Sequence, residues 1–515
     1  MKVPTKILTK KEFPMVNSIQ QFSEVSIPKL EKLVENFMKD PKDIASFITG
    51  SHDEFLVFLQ NFLGETFTEC DQILRDSGKR KQKYEIIRRD RKSLITSVGE
   101  VFFEKTLFKD KETGRSGYLL DRIMGIEPHE RMTEDAEAIM FSEAAQTSYR
   151  RAGSGCSIKA SVSKQTVKNK LHVLKFPPPP VPQAKKAVDY LYIDADEKPS
   201  PWDAYHVALQ FRDRKGDLAV AKNGSKYNNT LAKLVYVYEG VEPEAPKSKR
   251  HRLINPYYFS GVYSGKDNEK LWDEVYDYLD NHYDLSKVKK IYLNSDGGAW
   301  ITAAAKRFGN IMKVLDRYHL NQYLLKMTRH MADSAWDARN ELIDAIKNGT
   351  KSEFNILADN LLAYAGTDSE RGRIEEARGY ILSNWSPAKA RLHSRDKVCG
   401  CSAEGHVSHV LSDRMSSRPM GWSILGVDVM AHLRAYYWNK GDMLELVRHQ
   451  KQEFPLAAGC EEIVLSSSDM FLSERRKDGG ILYREQIGKY TECMRSSVSD
   501  RTKKQAWFKG LIWGL

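Results

Sequence analysis

Three carboxylates stand where the sequence predicts the end of a strand or the start of a helix. Asp196 follows the apolar run 187–193, Asp296 follows the β-rich run 288–293, and Glu404 precedes a helical pattern. Carboxylates at the ends of buried strands lie at the open edge of a sheet, where a ligand can bind. Three of them in one cleft can hold two Mg²⁺ or Mn²⁺ ions for phosphoryl transfer, because these cations prefer oxygen ligands. An Asp before two glycines, as at Asp296, is also typical of a plain turn, and the spacing leaves that alternative open.

The first of these metal ligands is ambiguous from the residues alone. Asp194 precedes Asp196 by two positions, so both side chains would lie on the same face of an extended strand. Either carboxylate can therefore bind metal. Residues 198–204, between Asp196-Glu197 and the next predicted strand, 205–211, are expected to form a loop.

A second kind of metal site competes for the region around Glu404. Cys399, Cys401, His406 and His409 supply four zinc-type ligands within eleven residues. The Cys-x-Cys spacing is tighter than the usual gap between zinc-binding cysteines, and the chain has one such cluster. Structural zinc is therefore the alternative interpretation. The favoured one is that His406 and His409 contact DNA or pack near Glu404.

A sheet is needed to position the acids, and the apolar patterns predict one. Strand-like runs at 187–193, 205–211, 231–238 and 257–263, a helix at 268–283 and the run 288–293 indicate an α/β layer with a central sheet. Residues 320–393 show helical periodicity almost throughout. The proline run 176–182 is a stiff linker and marks a domain boundary.

Residues 134–174 predict a helix-turn-helix. A helix at 136–151 is followed by Gly153-Ser-Gly155, which is expected to break it, and Ser163 can cap a second helix at 164–174. Its apolar face would consist of Val167, Leu171 and Leu174. The side chains that could reach base edges and phosphates are Lys164, Gln165, Thr166, Lys168, Asn169 and Lys170. An ordinary pair of packed helices is the alternative.

The charge balance points to nucleic acid. The chain has 80 basic and 69 acidic residues, a net charge of +11, and neutralisation of phosphates favours binding of such a chain to DNA. Eight of the fourteen residues 79–92 are basic, which predicts either a solvated helix face or a segment that follows phosphates. No run of 18 apolar residues predicts a membrane span, and six scattered cysteines fit a reducing cytoplasm.

Several motifs in order resemble bacterial insertion-sequence transposases of the ISLre type. These belong to the DDE class and are related to the Mutator-like superfamily. The motifs are Asp196-Glu197, Asp296-Gly-Gly-Ala-Trp-Ile301, Asp316-Arg-Tyr-His319-Leu320, Cys401-Ser-Ala-Glu404-Gly-His-Val-Ser-His409 and Arg414-Met-Ser-Ser-Arg-Pro-Met-Gly-Trp422. The likeness spans roughly residues 90–435 and includes the predicted helix-turn-helix.

The resemblance implies a multidomain α/β protein whose ribonuclease-H-like catalytic domain is interrupted by an all-α insertion. Asp196, Asp296 and Glu404 would be the catalytic acids and metal ligands, with Asp196 preferred to Asp194 because the Asp-Glu pair matches the family pattern. Asp316 and His319 would support the site, as would His406. The expected domains are a helical region (1–92), a hairpin and helix-turn-helix region (93–175), a proline-rich linker (176–186), the catalytic domain in two parts (187–319 and 399–438), the insertion (320–398) and a C-terminal region (439–515).

The expected function is therefore a DNA transposase that cuts at terminal inverted repeats and joins 3′ ends to target DNA. Its partners would be double-stranded DNA and at least one further copy of the chain, since two element ends must be brought together. It would act in the bacterial cytoplasm, at the nucleoid. Two alternatives remain open. One is a ribonuclease-H-like nuclease or resolvase without strand transfer, and the other is a non-catalytic, sequence-specific DNA-binding regulator.

Overall fold

The computed structural model describes residues 15–196, 206–208, 219–220, 226–227, 229–248, 250–295, 299–302, 304, 307–394, 398, 403–415 and 422–452. The chain divides into two compact units. The first comprises the described residues up to Glu143, Tyr149–Val167, and those from Val447 onward; the second comprises Ala144–Ser148 and the described residues of Lys168–Leu446. In these ranges no helix combines the length and the apolar character that crossing a bilayer requires.

The first unit begins with helices that lead into a long antiparallel hairpin. The helices are α1 (Met15–Gln21), a π-helical turn (Phe22–Ser26), α2 (Ile27–Lys39), α3 (Ile44–Asp76) and α4 (Gly78–Lys83). The strands are β1 (Tyr84–Thr96), β2 (Gly99–Asp110) and β3 (Ser116–Tyr118), in the order β1-β2-β3. Within the basic segment 79–92 only the part up to Lys83 is helical, so the interpretation of this segment as a helix face is wrong beyond that point.

Helix α3 covers the edge of β2 that β3 does not reach. The Asp71 carboxylate accepts hydrogen bonds from the backbone N–H and the hydroxyl of Thr106, at 2.8 and 2.6 Å. A Cβ atom at Gly64 would lie 2.3 Å from the carbonyl oxygen of Phe102, so glycine is required for this close approach. The apolar core beneath the hairpin consists of Leu74, Tyr84, Leu94, Phe103, Phe108, Leu119 and Leu120.

Four further helices follow the hairpin: α5 (Leu119–Ile123), α6 (Glu134–Gln146), α7 (Tyr149–Gly155) and α8 (Lys164–His172). Ser163 caps α8 as predicted, because its hydroxyl accepts a hydrogen bond from the backbone of Thr166 at 3.1 Å. The predicted break at Gly153-Ser-Gly155 is confirmed at Gly155, where α7 ends, but Gly153 itself lies inside α7, and the predicted single helix 136–151 is divided into α6 and α7. Gly153 serves packing instead: a Cβ there would lie 2.3 Å from the carbonyl oxygen of Val162, whose N–H donates to Gly153 O.

The second unit is built on a five-stranded sheet. Its described strands are β4 (Tyr190–Asp196), β5 (His206–Ala208), β6 (Ala219–Val220), β7 (Lys226–Tyr227), β8 (Asn229–Leu231), β9 (Lys233–Tyr238), β10 (Gly240–Pro243), β11 (His251–Ile254), β12 (Tyr257–Gly261), β13 (Lys290–Ser295) and β14 (Ile311–Leu315). The main sheet has the order β12-β9-β4-β13-β14. β12, β9 and β4 pair antiparallel, and β13 pairs parallel with both β4 and β14.

One face of this sheet is apolar and packs against helix α9 (Asp267–His282). Alternation along β4 places Leu191, Ile193 and Ala195 on this face, because successive strand residues point to opposite sides. The same core includes Val235, Val237, Leu271, Trp272, Val275, Leu279, Ile291 and Leu293. Trp272 is fully buried, and its indole N–H donates to the carbonyl of Trp300 at 3.1 Å.

Helices form most of the described chain after β13. They are α10 (Ala299–Thr302), α11 (Arg317–Thr328), a 3₁₀ turn (Arg329–Ser334), α12 (Ala335–Lys347), α13 (Lys351–Ala363), α14 (Asp368–Ser383), α15 (Trp385–His393), α16 (Ala403–Val407), a π-helical turn (Ser408–Ser412), α17 (Asp413–Met415), α18 (Ile424–Trp438) and α19 (Met443–Gln452). Capping boxes start α13, at Thr350 and Glu353, and α14, at Thr367 and Glu370. Helices α11–α15 share an apolar core of their own, which includes Leu324, Ile346, Phe354, Ile374 and Ile381.

The predicted mixed α/β fold is confirmed, but its strands differ in several places, and β6, β7, β10 and β11 were not predicted. β14 was not predicted, because Lys313 interrupts its short apolar run Ile311–Leu315. The predicted strand 205–211 is described only as β5, which pairs with β8 in a separate two-stranded sheet.

Candidate catalytic site

The carboxyl ends of β4 and β13 lie side by side in parallel register. Asp194 pairs with Asn294, and Ala195 pairs with Ser295. Asp196 is the last residue of β4, and its backbone pairs with Leu234 of β9. Asp296 follows Ser295 in the sequence and lies outside the described residues, as does the side chain of Asp196. The residues that immediately precede the two predicted acids are therefore paired neighbours at one edge of the sheet.

Helix α16 carries the third predicted acid, Glu404, and lies against β4. The Glu404 side chain lies outside the described residues, but His406 of the same helix is described. Its Nδ1 is 2.9 Å from the hydroxyl of Tyr258, and its ring centroid is 4.7 Å from that of Tyr236. Because these tyrosines belong to β12 and β9, His406 anchors α16 on the sheet face opposite the apolar one.

Asp194 is fully buried on that second face. Its carboxylate accepts hydrogen bonds from the hydroxyls of Tyr236 at 2.7 Å and Tyr238 at 3.1 Å, and from the side-chain amide of Asn294 at 2.6 Å. Three donors on one buried carboxylate offset the cost of removing it from water. Both of its oxygens are thereby engaged, which makes Asp194 a residue that fixes β4 to its two neighbouring strands.

Arg391 of α15 extends this network to the ends of β13 and β14. Its Nη2 donates to the side-chain oxygen of Asn294 at 2.6 Å, and its Nε donates to the carbonyl of Leu315 at 2.8 Å. Only 5% of Arg391 is exposed. A planar guanidinium can satisfy two acceptors at fixed angles, so this one side chain ties the last of the five helices α11–α15 to both parallel strands.

Asp316 and His319 lie directly after β14. Asp316 caps α11 by accepting the backbone N–H of His319 at 3.3 Å, and its Oδ2 is 3.1 Å from His319 Nδ1. Burial raises the pKa of Asp316, but the hydrogen bonds and charge of His319, with the charge of Arg391, outweigh it and hold the pKa below its usual range. The Asp-x-x-His pair is thus a helix cap joined electrostatically to the Arg391 network.

Burial also sets the protonation of the pair that anchors α16. Burial, with a smaller contribution from His409, lowers the pKa of His406 to about 4. Burial raises the pKa of Tyr258 to about 12. At neutral pH a neutral imidazole therefore faces a protonated phenol, and no net charge is placed between α16 and the sheet.

Sequence reasoning missed five residues of this network: Tyr236, Tyr238, Tyr258, Asn294 and Arg391. The alternate tyrosines of β9 were a usable signal, because a polar group at every second position of a strand lies on one face. Arg391 gave no such signal, since 97 residues separate it from Asn294.

The zinc alternative is not decided by the described residues. Cys399 and Cys401 lie outside them, His406 Nδ1 contacts Tyr258, and His409 Nδ1 is 3.4 Å from an oxygen of Asp413. Among the residues whose side chains are described, no group of three or more His, Cys, Asp or Glu is placed to hold a metal ion. The three predicted acids do not belong to that set.

Helix α8 presents the side chains predicted to reach DNA on the side away from its buried face. Val167, Leu171 and Leu174 are 0%, 1% and 7% exposed, as the pattern predicted. On the other side, the exposed residues are Lys164, Gln165, Lys168 and Asn169, and the half-buried ones are Thr166 and Lys170.

The model of an uncharacterised protein family, UPF0236, matches residues 52–453. The chain belongs to this family. The match includes every residue of the candidate site and the whole of α8. The candidate site therefore lies within the region that this chain shares with UPF0236.

Relatives in UPF0236 align over most of their length. The UPF0236 protein TTE0610/TTE0881/TTE1053/TTE2432 of Caldanaerobacter subterraneus subsp. tengcongensis is 36% identical over 382 residues, which is 73% of this chain and 74% of the relative. TTE2489 of the same organism is 37% identical over 383 residues, 73% of this chain and 75% of the relative. A UPF0236 protein in the vanSb 3′ region of Streptococcus gallolyticus is 26% identical over 371 residues, 68% of this chain and 74% of the relative.

Proposed function

We propose that this UPF0236 protein is a DNA transposase that cuts at the terminal inverted repeats of its element and joins the 3′ ends to target DNA. The observation that carries the proposal is the pairing of Asp194 with Asn294 and of Ala195 with Ser295. Asp196 and Asp296 directly follow these paired residues in the sequence, and the helix that contains Glu404 lies against the same strand β4.

The strand order supports a ribonuclease-H-like catalytic domain. In chain order, the first three strands of the sheet (β4, β9 and β12) pair antiparallel with one another, and the last two (β13 and β14) run parallel to β4. Helices α11–α15 intervene between Asp296 and Glu404, where the expected all-α insertion belongs.

The donor set fits Mg²⁺ or Mn²⁺. Asp196, Asp296 and Glu404 offer only carboxylate oxygens, which hard divalent cations prefer. Asp194 already accepts three hydrogen bonds, and this favours Asp196 as the first ligand. When bound, two such ions activate the attacking oxygen and stabilise the leaving oxygen of an in-line displacement at phosphorus.

The described residues would hold this site in place. Asp194 fixes the end of β4 through Tyr236 and Tyr238, and Arg391 fixes the end of β13 through Asn294. His406 seats the helix of Glu404. Preorganised carboxylates of this kind lower the cost of reaching the reactive geometry, because the supporting hydrogen bonds are made in advance.

The DNA substrate would be bound in part by α8. Its exposed Lys164, Gln165, Lys168 and Asn169 could contact base edges and phosphates from the major groove, and the net charge of +11 favours association with DNA. Because two element ends must be joined, at least two copies of the protein would assemble on the DNA. The reaction would take place at the nucleoid, in the bacterial cytoplasm.

The name of one relative is compatible with a mobile element. The designation TTE0610/TTE0881/TTE1053/TTE2432 joins four numbered labels within one organism. If these labels are separate copies of one sequence, such multiplicity is what transposition leaves in a genome.

A cleavage and joining assay tests the proposal. DNA that carries the ends of the element is incubated with Mg²⁺ and either wild-type protein or Asp296→Ala, and products are separated by size. Joined products from wild type alone are the expected result. Cutting without joining would favour the nuclease or resolvase. Binding without cutting by either protein would favour the DNA-binding regulator and contradict the transposase.

A further inference from the structure

The outer strand of the first unit's hairpin, β1, is an exposed edge that carries most of a basic segment. It is the outer strand in the order β1-β2-β3, and among the described residues its other edge is bridged at Ile95, which pairs with Met132. Residues 79–92 contain eight basic and two acidic residues. The exposed basic side chains of this segment are Lys81, Lys83, Arg88, Arg89 and Arg91. A row of cations along an extended edge is complementary to a phosphate backbone.

One face of the β1-β2 ribbon combines Arg89 and Arg91 with an exposed aromatic ring, whereas Arg88 lies on the opposite face beside Asp90. Ser93 pairs with Phe102 and Arg91 with Glu104, so these side chains share a face. The Arg91 guanidinium lies over the Phe102 ring, 4.8 Å from its centroid, and Phe102 is 49% exposed. An arginine stacked on an aromatic ring keeps its outward N–H donors available while its plane is held in position.

The other two arginines make weak ion pairs on the surface. Arg88 Nε is 2.9 Å from Asp90, and Arg89 Nη1 is 2.8 Å from Glu104. Pairs between exposed side chains contribute little to stability because water screens them. The guanidinium groups can therefore exchange these carboxylates for phosphate oxygens, and arginine binds phosphate with two parallel hydrogen bonds.

We propose that the β1-β2 ribbon is a second DNA-binding surface, separate from α8, that grips duplex DNA through Arg88, Arg89 and Arg91. The inference rests on the proposed function only in taking DNA as the substrate. A two-stranded ribbon has the dimensions to enter the major groove. The exposed Ile86 and Ile87, next to a bulge in β1, would contact sugars or base edges there.

The salt dependence of binding tests this surface directly. Affinity for duplex DNA from the element end is measured by fluorescence anisotropy between about 50 and 200 mM salt. Because each phosphate contact adds about 0.9 to the slope of log affinity against log salt, the Arg88→Ala, Arg89→Ala, Arg91→Ala triple variant should lose about 2 to 3 units of slope. The triple Arg→Lys variant should retain most of the slope.

A matched triple variant controls for the loss of charge itself. Lys270, Lys287 and Lys289 are exposed and each pairs with an aspartate, so their replacement by Ala also removes three surface cations. This control should keep the wild-type slope. Thermal unfolding of both triple variants should match wild type, since all six side chains are at least about one-third exposed.

The outcomes separate this inference from the proposed function. If the triple arginine-to-alanine variant keeps the wild-type slope of log affinity against log salt, the ribbon is not a DNA-binding surface. The transposase proposal would be unaffected by that result. A slope that falls equally in the lysine control also overturns the ribbon as a DNA-binding surface. Tighter binding of duplex RNA than DNA would reassign the surface to RNA. A wild-type protein that binds no duplex DNA would overturn both proposals.

Discussion

The two faces of the five-stranded sheet use the same strands for different purposes. The face formed by Leu191 and Ile193 packs on α9 mainly through apolar and aromatic side chains. The opposite face places Asp194 among two tyrosine hydroxyls and an amide, and joins it through Asn294 to Arg391. Alternate residues of β4 thus belong to two different environments. One is an apolar core that tolerates volume-conserving substitutions, and the other is a network of specific hydrogen bonds.

This difference determines how each face should respond to substitution. An apolar core loses stability with the volume removed, and volume-conserving changes are tolerated. A buried polar network loses stability when one donor or acceptor no longer matches, even if the shape is unchanged. The apolar face therefore supplies bulk stability, whereas the polar face specifies the positions of strand ends.

The largest effect is expected on the apolar face. Trp272→Ala removes a fully buried indole and should lower the free energy of unfolding by about 3–5 kcal/mol. Urea unfolding followed by circular dichroism measures this. Trp336→Ala is the matched control, because Trp336 is 68% exposed and its loss should cost less than about 0.5 kcal/mol. Equal losses in the two variants would contradict the burial of α9 against the sheet.

Arg391→Lys should show that the polar face depends on geometry as well as on charge. An ammonium on a flexible stem cannot serve both Leu315 O and Asn294 Oδ1 at the fixed angles of a guanidinium, so stability should fall by about 1.5–3 kcal/mol. Arg373→Lys on the exposed side of α14 should be near neutral. If Arg391→Lys unfolds at the same urea concentration as wild type, the bridge between α15 and the sheet is unimportant.

Asp194→Asn should cost about 1–3 kcal/mol, because an NH2 group would replace one of the two carboxylate oxygens that accept hydrogen bonds from Tyr236, Tyr238 and Asn294. Adding Asn294→Asp reverses the donor and acceptor and places a carboxylate beside Arg391, so the double variant should regain part of the loss. A double-mutant cycle by urea unfolding measures the coupling. Strict additivity of the two single effects would contradict a direct bond between these side chains.

Asp71 in the first unit offers the smallest effect and a useful contrast. This fully buried carboxylate is held by one residue, Thr106, and burial raises its pKa above the usual value despite those hydrogen bonds. The folded state therefore keeps its proton to higher pH than the unfolded state, so stability from this group is present at low pH and lost as pH rises.

Relative to Asp71→Asn, wild type should become less stable as the pH rises from about 4 to neutral, because the buried carboxyl must give up its proton. Urea unfolding of both proteins at several pH values measures the difference. A difference that does not change with pH would mean that folding leaves the pKa of Asp71 unchanged. That result would contradict the prediction.

The sequence predicted the apolar half of this comparison better than the polar half. Apolar runs located β4, β9, β12 and β13, and helical spacing located the buried side of α8, because burial leaves a periodic pattern. Hydrogen-bond partners leave no such pattern. Tyr236, Tyr238 and Asn294 lie 42, 44 and 100 residues from Asp194, and only the sheet register brings them together.

The residues of the candidate site also differ in how far the sequence predicted them. Asp194, Asp316, His319 and His406 were predicted from motifs, and their contacts are now defined. Spacing could not decide whether Asp194 or Asp196 would be the proposed metal ligand, since both share a strand face. The three donors on Asp194 favour Asp196 as the ligand. Gly153 was misinterpreted because a glycine that permits close packing and one that ends a helix look alike in sequence.

The most direct test of the account compares Asp194→Asn and Asp196→Asn in the Mg²⁺-dependent joining assay, at a temperature where both are folded. Asp196→Asn should keep wild-type stability and lose joining by about 10³-fold or more, because metal-assisted charge stabilisation is worth several kcal/mol. Asp194→Asn should lose stability and only about 10-fold in joining, as expected of a residue that positions a ligand. Joining that survives Asp196→Asn but is abolished by Asp194→Asn would contradict the account.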